Sequence, residues 1–292
     1  MALNDSIPKT VVFIVGRRMG ETIPIGTGFV VGVRTPPGSS LAFTLYVVTA
    51  RHVVQFERET WIRFRKMDGT LEDRPVASWE LADDDEVALT VLDSDEGLDL
   101  AVLPIPDFLP SQAGDRHGAR DSHFRPMLGD RVYLVGLFAP IRAMGEQNVP
   151  IVRAGTVAAR NQPGIPVTNP DGTVQEHTAH LVDCRFYRGF SGSPCFVQFP
   201  REPGGWGGGV GRPDEETELF GLVMSHFDAK DQTKLGGLAE EDIEVEVPVH
   251  HGVGVVVPAE AIAALLDRED VVADREARQR NTETTAIPPE NV

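Results

Sequence analysis

Short apolar runs separated by Gly, Pro and Asp dominate the hydrophobic pattern of this chain. In the segment 60–65, Ile62 and Phe64 fall on one side and Arg63 and Arg65 on the other, which is the two-residue period of a half-buried strand. Strands this short, joined by turns rather than helices, predict an all-β fold. The predicted strands are VVFIV (11–15), GFVVGV (28–33), LYVVTA (45–50), TWIRFR (60–65), VALTVLD (87–93), LDLAVLPI (98–105), DRVYLVGL (130–137), PIVRAGTVAA (150–159), AHLVDCRF (179–186), SPCFVQF (193–199), ELFGLVMS (218–225) and GVGVVVP (252–258).

These strands fall into two sets of six, one in each half of the chain. Closing a sheet into a barrel removes its unpaired edges, so each set can form a closed barrel. A stretch rich in Pro, Gly and charged residues, from Pro106 to Gly129, separates the sets and is interpreted as a linker. We therefore expect an N-terminal barrel over residues 1–115 and a C-terminal barrel over residues 116–267.

The segments between and after the strands give three further expectations. Pro258 precedes residues 259–267, whose apolar positions recur at i, i+3 and i+4, and this spacing predicts one helix packed against a barrel. Residues 268–292 are polar and charged and predict a disordered tail. The Gly-rich segment 203–212 predicts a surface loop, and 228–248 an acidic loop near the functional site.

Net charge narrows the classes of partner. The chain carries a formal charge of −17 at pH 7, which disfavours nucleic acid and anionic membranes because both are polyanions. No segment approaches the ~20 apolar residues of a membrane-spanning helix. Neither a nucleic acid nor a membrane is therefore expected as a partner.

The cysteines and the N-terminus bear on location. Cys184 and Cys195 are the two cysteines of the chain, and the N-terminus has no basic region, apolar run or cleavage site of a secretory signal. These features predict a reducing, cytoplasmic setting in which both thiols are free. A disulfide between the two cysteines stays open, because the sequence does not give their geometry.

The strongest chemical signal is the turn GFSGSP, residues 189–194. A serine hydroxyl is a weak nucleophile and needs a base within hydrogen-bond reach and a pocket for the developing oxyanion. The glycine two residues before Ser191 allows a sharp turn, in which the N–H groups of Gly189 and Ser191 can converge to form that pocket. Such a turn on its own is as often structural as catalytic.

A histidine and an aspartate complete the set that such a serine needs. His52 follows an apolar strand within VTARHVV, and Asp99 enters the apolar run LDLAVL. Burying an isolated carboxylate is costly, and the N–H of a neutral histidine is a suitable partner for it. His52 and Asp99 lie in the first half of the chain and Ser191 in the second. This order predicts a site in the cleft between the two barrels.

These motifs resemble, in the same order, those of the trypsin-like peptidases of the chymotrypsin fold, and most of all the protease domain of the HtrA branch. The similarity runs from about Val11 to Leu266. The segments that carry it are GTGFVV (26–31), VTARHVV (48–54), LDLAVL (98–103), GDRVYLVG (129–136), RAGTV (153–157), VDCRFYRGFSGSP (182–194), FGLV (220–223) and GVGVVVPAEAI (252–262).

The resemblance implies two six-stranded antiparallel Greek-key barrels with a C-terminal helix, and a serine endopeptidase that needs no cofactor. In this reading His52 is general base and then general acid, and Asp99 orients it. Ser191 attacks the scissile carbonyl to form an acyl-enzyme, and the N–H groups of Gly189 and Ser191 bind the oxyanion. The expected substrate is a protein or peptide.

The resemblance also implies a substrate pocket and shows departures from the family pattern. The implied pocket residues are Arg185, Phe186, Gly221, Leu222 and His226. An inward Arg185 would favour an acidic residue before the scissile bond, whereas an outward Arg185 leaves Phe186 to shape a small apolar pocket. Phe190 stands where secreted trypsins carry an Asp that pairs with a freed N-terminus, so that activation route is not expected. No PDZ-like segment is recognisable after residue 267.

Metal binding and a second hydrolase fold are disfavoured. The pairs His177/His180 and His250/His251 lack a third ligand and are interpreted as surface histidines. An α/β-hydrolase requires Gly where this chain has Ser193, and an Asp and a His after the nucleophile. No metal is therefore expected.

Two functional alternatives remain. The rival to the enzyme is a catalytically silent two-barrel module used for binding or as a scaffold. Retention of all three triad residue types disfavours it. A protease without an inhibitory prodomain in the cytoplasm would endanger its cell, so we expect activity to be gated by an activating protein partner, a substrate or a loop rearrangement.

Overall fold

Two closed β-barrels follow one another along the chain, in the order that the apolar runs predict. The structure is a computed structural model, and it describes residues 7–18, 21–34, 43–55, 59–66, 68–78, 89–93, 98–105, 126–141, 147–168, 173–199, 216–235 and 243–285. Most of the predicted linker, the Gly-rich segment 203–212 and the boundary between residues 115 and 116 lie outside the described residues.

The first barrel closes because β1 pairs with strands on both of its sides. Its order is β1-β2-β3-β7-β6-β5-β4, with β1 hydrogen-bonded to β2 and to β4. Alternate residues point inward and fill the barrel, among them Val12, Val47, Phe64 and Leu103. Its strands are β1 (Val11–Arg18), β2 (Glu21–Arg34), β3 (Phe43–Thr49), β4 (Thr60–Arg65), β5 (Leu71–Ser78), β6 (Leu89–Asp93) and β7 (Ala101–Ile105).

The additional strand relative to the six expected is β5, which pairs antiparallel with β4 and parallel with β6. Its sequence, LEDRPVAS, lacks the apolar alternation that marks the other strands. Polar contacts support it instead, because Asp73 accepts two hydrogen bonds from Arg63 of β4 and Glu72 pairs with Lys66. A strand held by its neighbour's charges leaves little hydrophobic signal in the sequence.

The second barrel has the six expected strands, closed in the order β10-β13-β12-β11-β8-β9. Both barrels therefore pair their first three strands in sequence, then the last strand, then the remainder in reverse. This repeat of topology confirms the chymotrypsin-like two-barrel class. The strands are β8 (Arg131–Gly136), β9 (Ile151–Thr168), β10 (Val174–Asp183), β11 (Pro194–Phe199), β12 (Glu216–Leu235) and β13 (Ile243–Pro258).

The acidic segment 228–248 is not the loop that its charge suggested. β12 and β13 continue their antiparallel pairing from the barrel as far as Leu235 and Ile243. The alternation of Ile243, Val245 and Val247 with Glu is compatible with a two-stranded ribbon, whose backbone hydrogen bonds do not require a net apolar segment.

Three α-helices accompany the strands in the described residues. α1 (Arg51–Gln55) is a single turn, and α2 (Ala259–Leu266) is the predicted helix, which buries Ile262 and Leu266. The expectation of a disordered tail is wrong for residues 269–285, which form α3 (Glu269–Thr285). Among the side chains described in α3, two at i, i+4 spacing are buried, Val271 and Arg275.

Arg275 explains why the third helix was missed from the apolar pattern. Its Nη1 donates to the Leu266 carbonyl at 3.1 Å, which satisfies an end carbonyl of α2. The same side chain lies beside Tyr46 of β3 in the first barrel, whereas α2 contacts β12 and β13 of the second barrel. One buried valine and one buried arginine, rather than an apolar stripe, anchor the described part of this helix.

Apolar side chains join the two barrels directly. Phe13 of β1 packs with Val135, Leu137 and Phe196 from the second barrel, and all four are buried. The two halves thus share an apolar interface, along which residues of β2 and the serine turn meet. Within the described part of the chain, no helix combines the length and the apolar character of a membrane span.

Candidate active site

His52 and Asp99 form a close pair at the rim of the first barrel. His52 Nδ1 lies 2.5 Å from Asp99 Oδ2, and the backbone N–H of His52 donates to Asp99 Oδ1 at 2.8 Å. The Asp99 side chain is 13% exposed and that of His52 26%. Both carboxylate oxygens are therefore committed to one residue, and the contact to the His52 ring is made at Nδ1.

The sheet topology explains why these two residues meet across 47 positions of sequence. β3 and β7 are antiparallel neighbours, and Thr49 at the end of β3 pairs with Ala101 at the start of β7. His52, just after β3, and Asp99, just before β7, consequently lie at the same edge of the barrel. The pairing predicted from apolar context is confirmed as a contact.

Ser191 is brought to this edge by two residues of β2. Its carbonyl accepts a hydrogen bond from Thr27 N–H at 2.9 Å. A Cβ on Gly26 would collide with the Val53 side chain and lie 3.3 Å from the Ser191 carbonyl oxygen. The turn that carries Ser191 and the helix that carries His52 thus pack against the same glycine. Within the described residues, the Ser191 hydroxyl makes no hydrogen bond to the His52 ring.

The backbone of the serine turn directs the Gly189 N–H away from Ala139. A trans peptide directs its N–H opposite to its C=O. The Arg188 carbonyl accepts from Ala139 N–H at 3.2 Å, so the Gly189 N–H of that peptide faces the other way. Gly189 has φ +101, a conformation that favours glycine and accounts for that residue at this position.

The peptide that contains the Ser191 N–H is held in the same manner. The Phe190 carbonyl accepts from Ser193 N–H at 2.9 Å, which turns the Ser191 N–H in the opposite direction. Among the backbone hydrogen bonds outside helices and strands in the described residues, none starts from Gly189 or Ser191. Two donors left unused by the backbone are what an anion-binding pocket requires.

The predicted pocket residues divide into exposed and buried sets. Arg185 is exposed, whereas Phe186 is buried, and its ring occupies the space that a Cβ on Gly254 would need. The sequence left two orientations of Arg185 open, and an exposed Arg185 fits the outward one. Gly221 and Leu222 are buried in β12. The side chain of His226 lies outside the described residues, and the binding roles of these residues stay predictions.

The two cysteines are free and buried. Burial raises the pKa of both thiols, and the raise is larger for Cys195, which also faces Cys184. Thiols with raised pKa values carry little thiolate at neutral pH. Neither cysteine is therefore placed to compete with Ser191 as a nucleophile.

His177 and His180 are not the surface pair that the sequence suggested, because both are buried. His180 stacks on Phe220 with ring centroids 4.2 Å apart, and its Nδ1 accepts from Asn161 N–H at 3.0 Å. No cluster of three or more metal-ligating side chains occurs among the described residues. The side chains of His250 and His251 lie outside that part.

His180 should make stability depend on pH. Burial, with a smaller contribution from the Arg160 charge, lowers the pKa of His180 from 6.5 to about 4. The unfolded chain then binds a proton more readily than the folded chain, so the contribution to stability is present above about pH 6.5 and is lost toward pH 4. We expect a loss of about 2–3 kcal/mol between pH 7 and pH 4.5.

The check is urea unfolding of wild type and His180→Phe at both pH values, because Phe keeps the stack on Phe220 and does not titrate. The variant should lose less stability on acidification than the wild type. Equal losses in the two proteins would contradict the assignment.

Fold and site together define a class. Two topologically matched barrels bring a histidine–aspartate pair and a serine turn, which has two N–H donors unused by the backbone, to the same residues of β2. This is the arrangement of a chymotrypsin-fold serine hydrolase.

Comparison with known proteins identifies the family. The chain belongs to the trypsin-like peptidase domain family, whose model matches residues 26–198, more than half of the chain. No curated protein sequence matches. The MamO protease domain from Magnetospirillum magneticum, in its apo form, is 19% identical with a TM-score of 0.51, and the match covers 90% of this chain and 98% of that one. The HtrA-type protease AlgW with a decapeptide is 14% identical with a TM-score of 0.50, over 92% and 66% of the two chains.

The family match confirms the predicted resemblance to trypsin-like peptidases. At these low identities the two solved structures support the fold alone, while the family match supports the class of enzyme. The chain is a serine peptidase, and its substrates are proteins or peptides.

Sequence reasoning missed three residues that build the site: Thr27, Thr49 and Ala139. Each supports the serine turn or the strands beside it through a single hydrogen bond or a small set of them. Thr27 and Thr49 do lie inside two of the motifs that carry the family resemblance, which was the available signal. Ala139 lies in none.

Proposed function

We propose that the chain is a serine endopeptidase that cleaves peptide bonds through an acyl-enzyme, with His52, Asp99 and Ser191 as the catalytic triad. His52 takes the proton of the Ser191 hydroxyl and returns it to the leaving amine. Asp99 fixes the tautomer of His52 and stabilises the imidazolium. Water then hydrolyses the acyl-enzyme by the same route in reverse.

The observation that carries this proposal is the His52–Asp99 contact beside the serine turn. Asp99 accepts from the backbone N–H and lies 2.5 Å from Nδ1 of His52, which leaves Nε2 as the basic nitrogen. The N–H groups of Gly189 and Ser191 form the proposed oxyanion pocket. A silent binding module would need neither the pair nor the two unused donors.

We propose that the serine–histidine contact is completed on binding. The Ser191 hydroxyl is not hydrogen-bonded to His52 among the described residues, and in proteases this contact often tightens only with substrate present. A peptide substrate or an activating protein partner that closes this distance would gate the enzyme. Two buried, free thiols fit the cytoplasmic location that the sequence predicts.

A fluorophosphonate probe tests the proposal. Wild type is expected to be labelled, and Ser191→Ala is not. Ser193→Ala is the matched control, because the Ser193 hydroxyl is buried and has no hydrogen-bond partner, so its removal should leave labelling unchanged. Labelling of Ser191→Ala at the wild-type rate would contradict the nucleophile.

The same assay separates the gated enzyme from the silent module. A gated enzyme is labelled faster after addition of denatured casein, whereas a silent module stays unlabelled under every condition in which it is folded. Full labelling and full turnover on casein without any activator would argue against gating by a partner.

A further inference from the structure

Thr27 is a fully buried residue of β2 whose polar groups reach into the second barrel. Its hydroxyl donates to the Gly189 carbonyl at 2.7 Å and accepts from Leu137 N–H at 2.9 Å. Its backbone N–H donates to the Ser191 carbonyl at 2.9 Å. One threonine of the first barrel therefore holds the serine turn at two carbonyls and the end of β8 at one N–H.

The carbonyl that the Thr27 hydroxyl holds belongs to the central peptide of the turn. The Gly189–Phe190 peptide lies between the two peptides whose N–H groups form the proposed oxyanion pocket. Its own N–H donates to the Tyr187 carbonyl at 3.2 Å, and its carbonyl faces Thr27 Oγ1. If this peptide rotates, the N–H groups on either side of it change direction as well.

The glycines make the backbone of the turn flexible, so contacts from outside the turn are needed to fix its conformation. Gly189 at φ +101 and Gly192 at φ +85 have several backbone conformations of similar energy, because neither has a Cβ. Local sequence alone does not select the one in which both N–H groups face the cleft. A hydrogen bond from a rigid strand of the other barrel supplies that selection.

Thr27 is itself held by a residue of β3, the strand that leads to His52. The hydroxyl of Thr49, the last residue of β3, donates to the Thr27 carbonyl at 2.7 Å. Thr49 and Thr27 are both fully buried, and His52 follows Thr49 by three positions. A continuous set of hydrogen bonds thus connects the strand that leads to His52 with the turn that carries Ser191.

We propose that the Thr27 hydroxyl is a positioning group for the oxyanion pocket, which sets the direction of the Gly189 and Ser191 N–H groups and their distance from His52. This inference rests on the proposed peptidase function. Thr27 is buried beneath the turn and does not contact substrate. Its loss should therefore lower kcat with little change in KM, since the interactions affected are those made to the transition state.

The test compares Thr27→Val, which keeps the shape and removes the hydroxyl, with Thr27→Ser, which keeps the hydroxyl. Thr27→Val is expected to lower kcat and the fluorophosphonate labelling rate by about 10–100-fold, less than or similar to loss of one oxyanion donor. Thr27→Ser should return both to within about threefold of wild type. Amide hydrogen exchange at Leu137 should rise in Thr27→Val only, because that N–H loses its acceptor.

Thr10→Val controls for the loss of a buried hydroxyl as such. Thr10 is buried and its hydroxyl donates to the Ile7 carbonyl at 2.8 Å, away from the serine turn. Its loss should destabilise the fold by an amount similar to that of Thr27→Val, without changing kcat. If Thr27→Val does not fold, Thr49→Val takes its place, with a smaller expected fall in kcat and the same rescue by Ser.

The outcomes separate the two proposals. Wild-type labelling with unchanged kcat in folded Thr27→Val overturns the positioning role and leaves the peptidase intact. The same holds if Thr27→Ser is as slow as Thr27→Val, because the hydroxyl is then not the active group. A folded wild type that no activator renders reactive overturns the peptidase function, and the positioning role with it.

Discussion

Asp99→Asn is expected to lower kcat/KM by about 10⁴-fold while the protein stays folded. The substitution keeps the shape of the side chain, and the Oδ1 acceptor for the His52 backbone N–H can remain at 2.8 Å. At Nδ1, however, an amide NH₂ replaces the carboxylate oxygen. His52 must then present a lone pair there and carry its proton on Nε2, where it cannot accept the Ser191 proton.

The measurement is steady-state hydrolysis of a peptide ester together with urea unfolding. Asp73→Asn is the matched control, because Asp73 also binds a basic side chain through both oxygens, Arg63 at 2.6 and 2.7 Å, but lies on β5. It should keep kcat/KM within about twofold, as expected for an exposed ion pair of small energy. If Asp99→Asn retains more than about a tenth of wild-type activity, Asp99 is not the orienting carboxylate.

The strands that could be predicted are those whose buried residues give the sequence a regular apolar pattern. Val12, Val47, Leu103 and their neighbours fill a barrel, and every strand that they define was found. β5 was not predicted, since Asp73 and Glu72 stabilise it through charges rather than burial. α3 was not predicted for a related reason, because the buried side chains described in it are one valine and one arginine, Val271 and Arg275, which do not form an apolar stripe.

The part of the site that could be predicted is the part in which a buried charged group needs a hydrogen-bond partner. Asp99 at the entrance to an apolar strand needs a donor, and this need pointed to His52 before any coordinates. The supporting role of Thr27 could not be predicted in this way. Its hydroxyl bonds a carbonyl 162 residues further along the chain, and no local pattern encodes that distance.

The roles of the glycines could not be predicted from the sequence either. Several glycines of this chain have positive φ, but their surroundings differ completely. A Cβ on Gly69, at φ +82, would meet nothing within 4 Å, whereas a Cβ on Gly192, at φ +85, would collide with the Thr27 carbonyl oxygen and lie 2.5 Å from Thr49 Oγ1. In the sequence the two glycines look alike. Only the structure shows that Gly69 lies in an open turn and that Gly192 is closely packed against the first barrel.

Gly192→Ala is therefore expected to cost about 2–5 kcal/mol of folding free energy and to abolish fluorophosphonate labelling. The alanine carries about 1–2 kcal/mol of strain from its left-handed backbone. The collision with Thr27 and Thr49 adds the cost of overpacking, about 1–3 kcal/mol. Relief of that collision must move β2 or the serine turn, and either movement separates Ser191 from the His52–Asp99 pair.

Gly69→Ala carries the backbone strain without the collision, because its φ is nearly the same and its surroundings are open. It should cost only the backbone strain and keep full labelling. The difference between the two variants in urea unfolding then measures the contact across the barrel interface. If Gly192→Ala is no less stable than Gly69→Ala and still reacts with the probe, the close approach of the serine turn to Thr27 and Thr49 is wrong. The geometry proposed for the oxyanion pocket would fail with it.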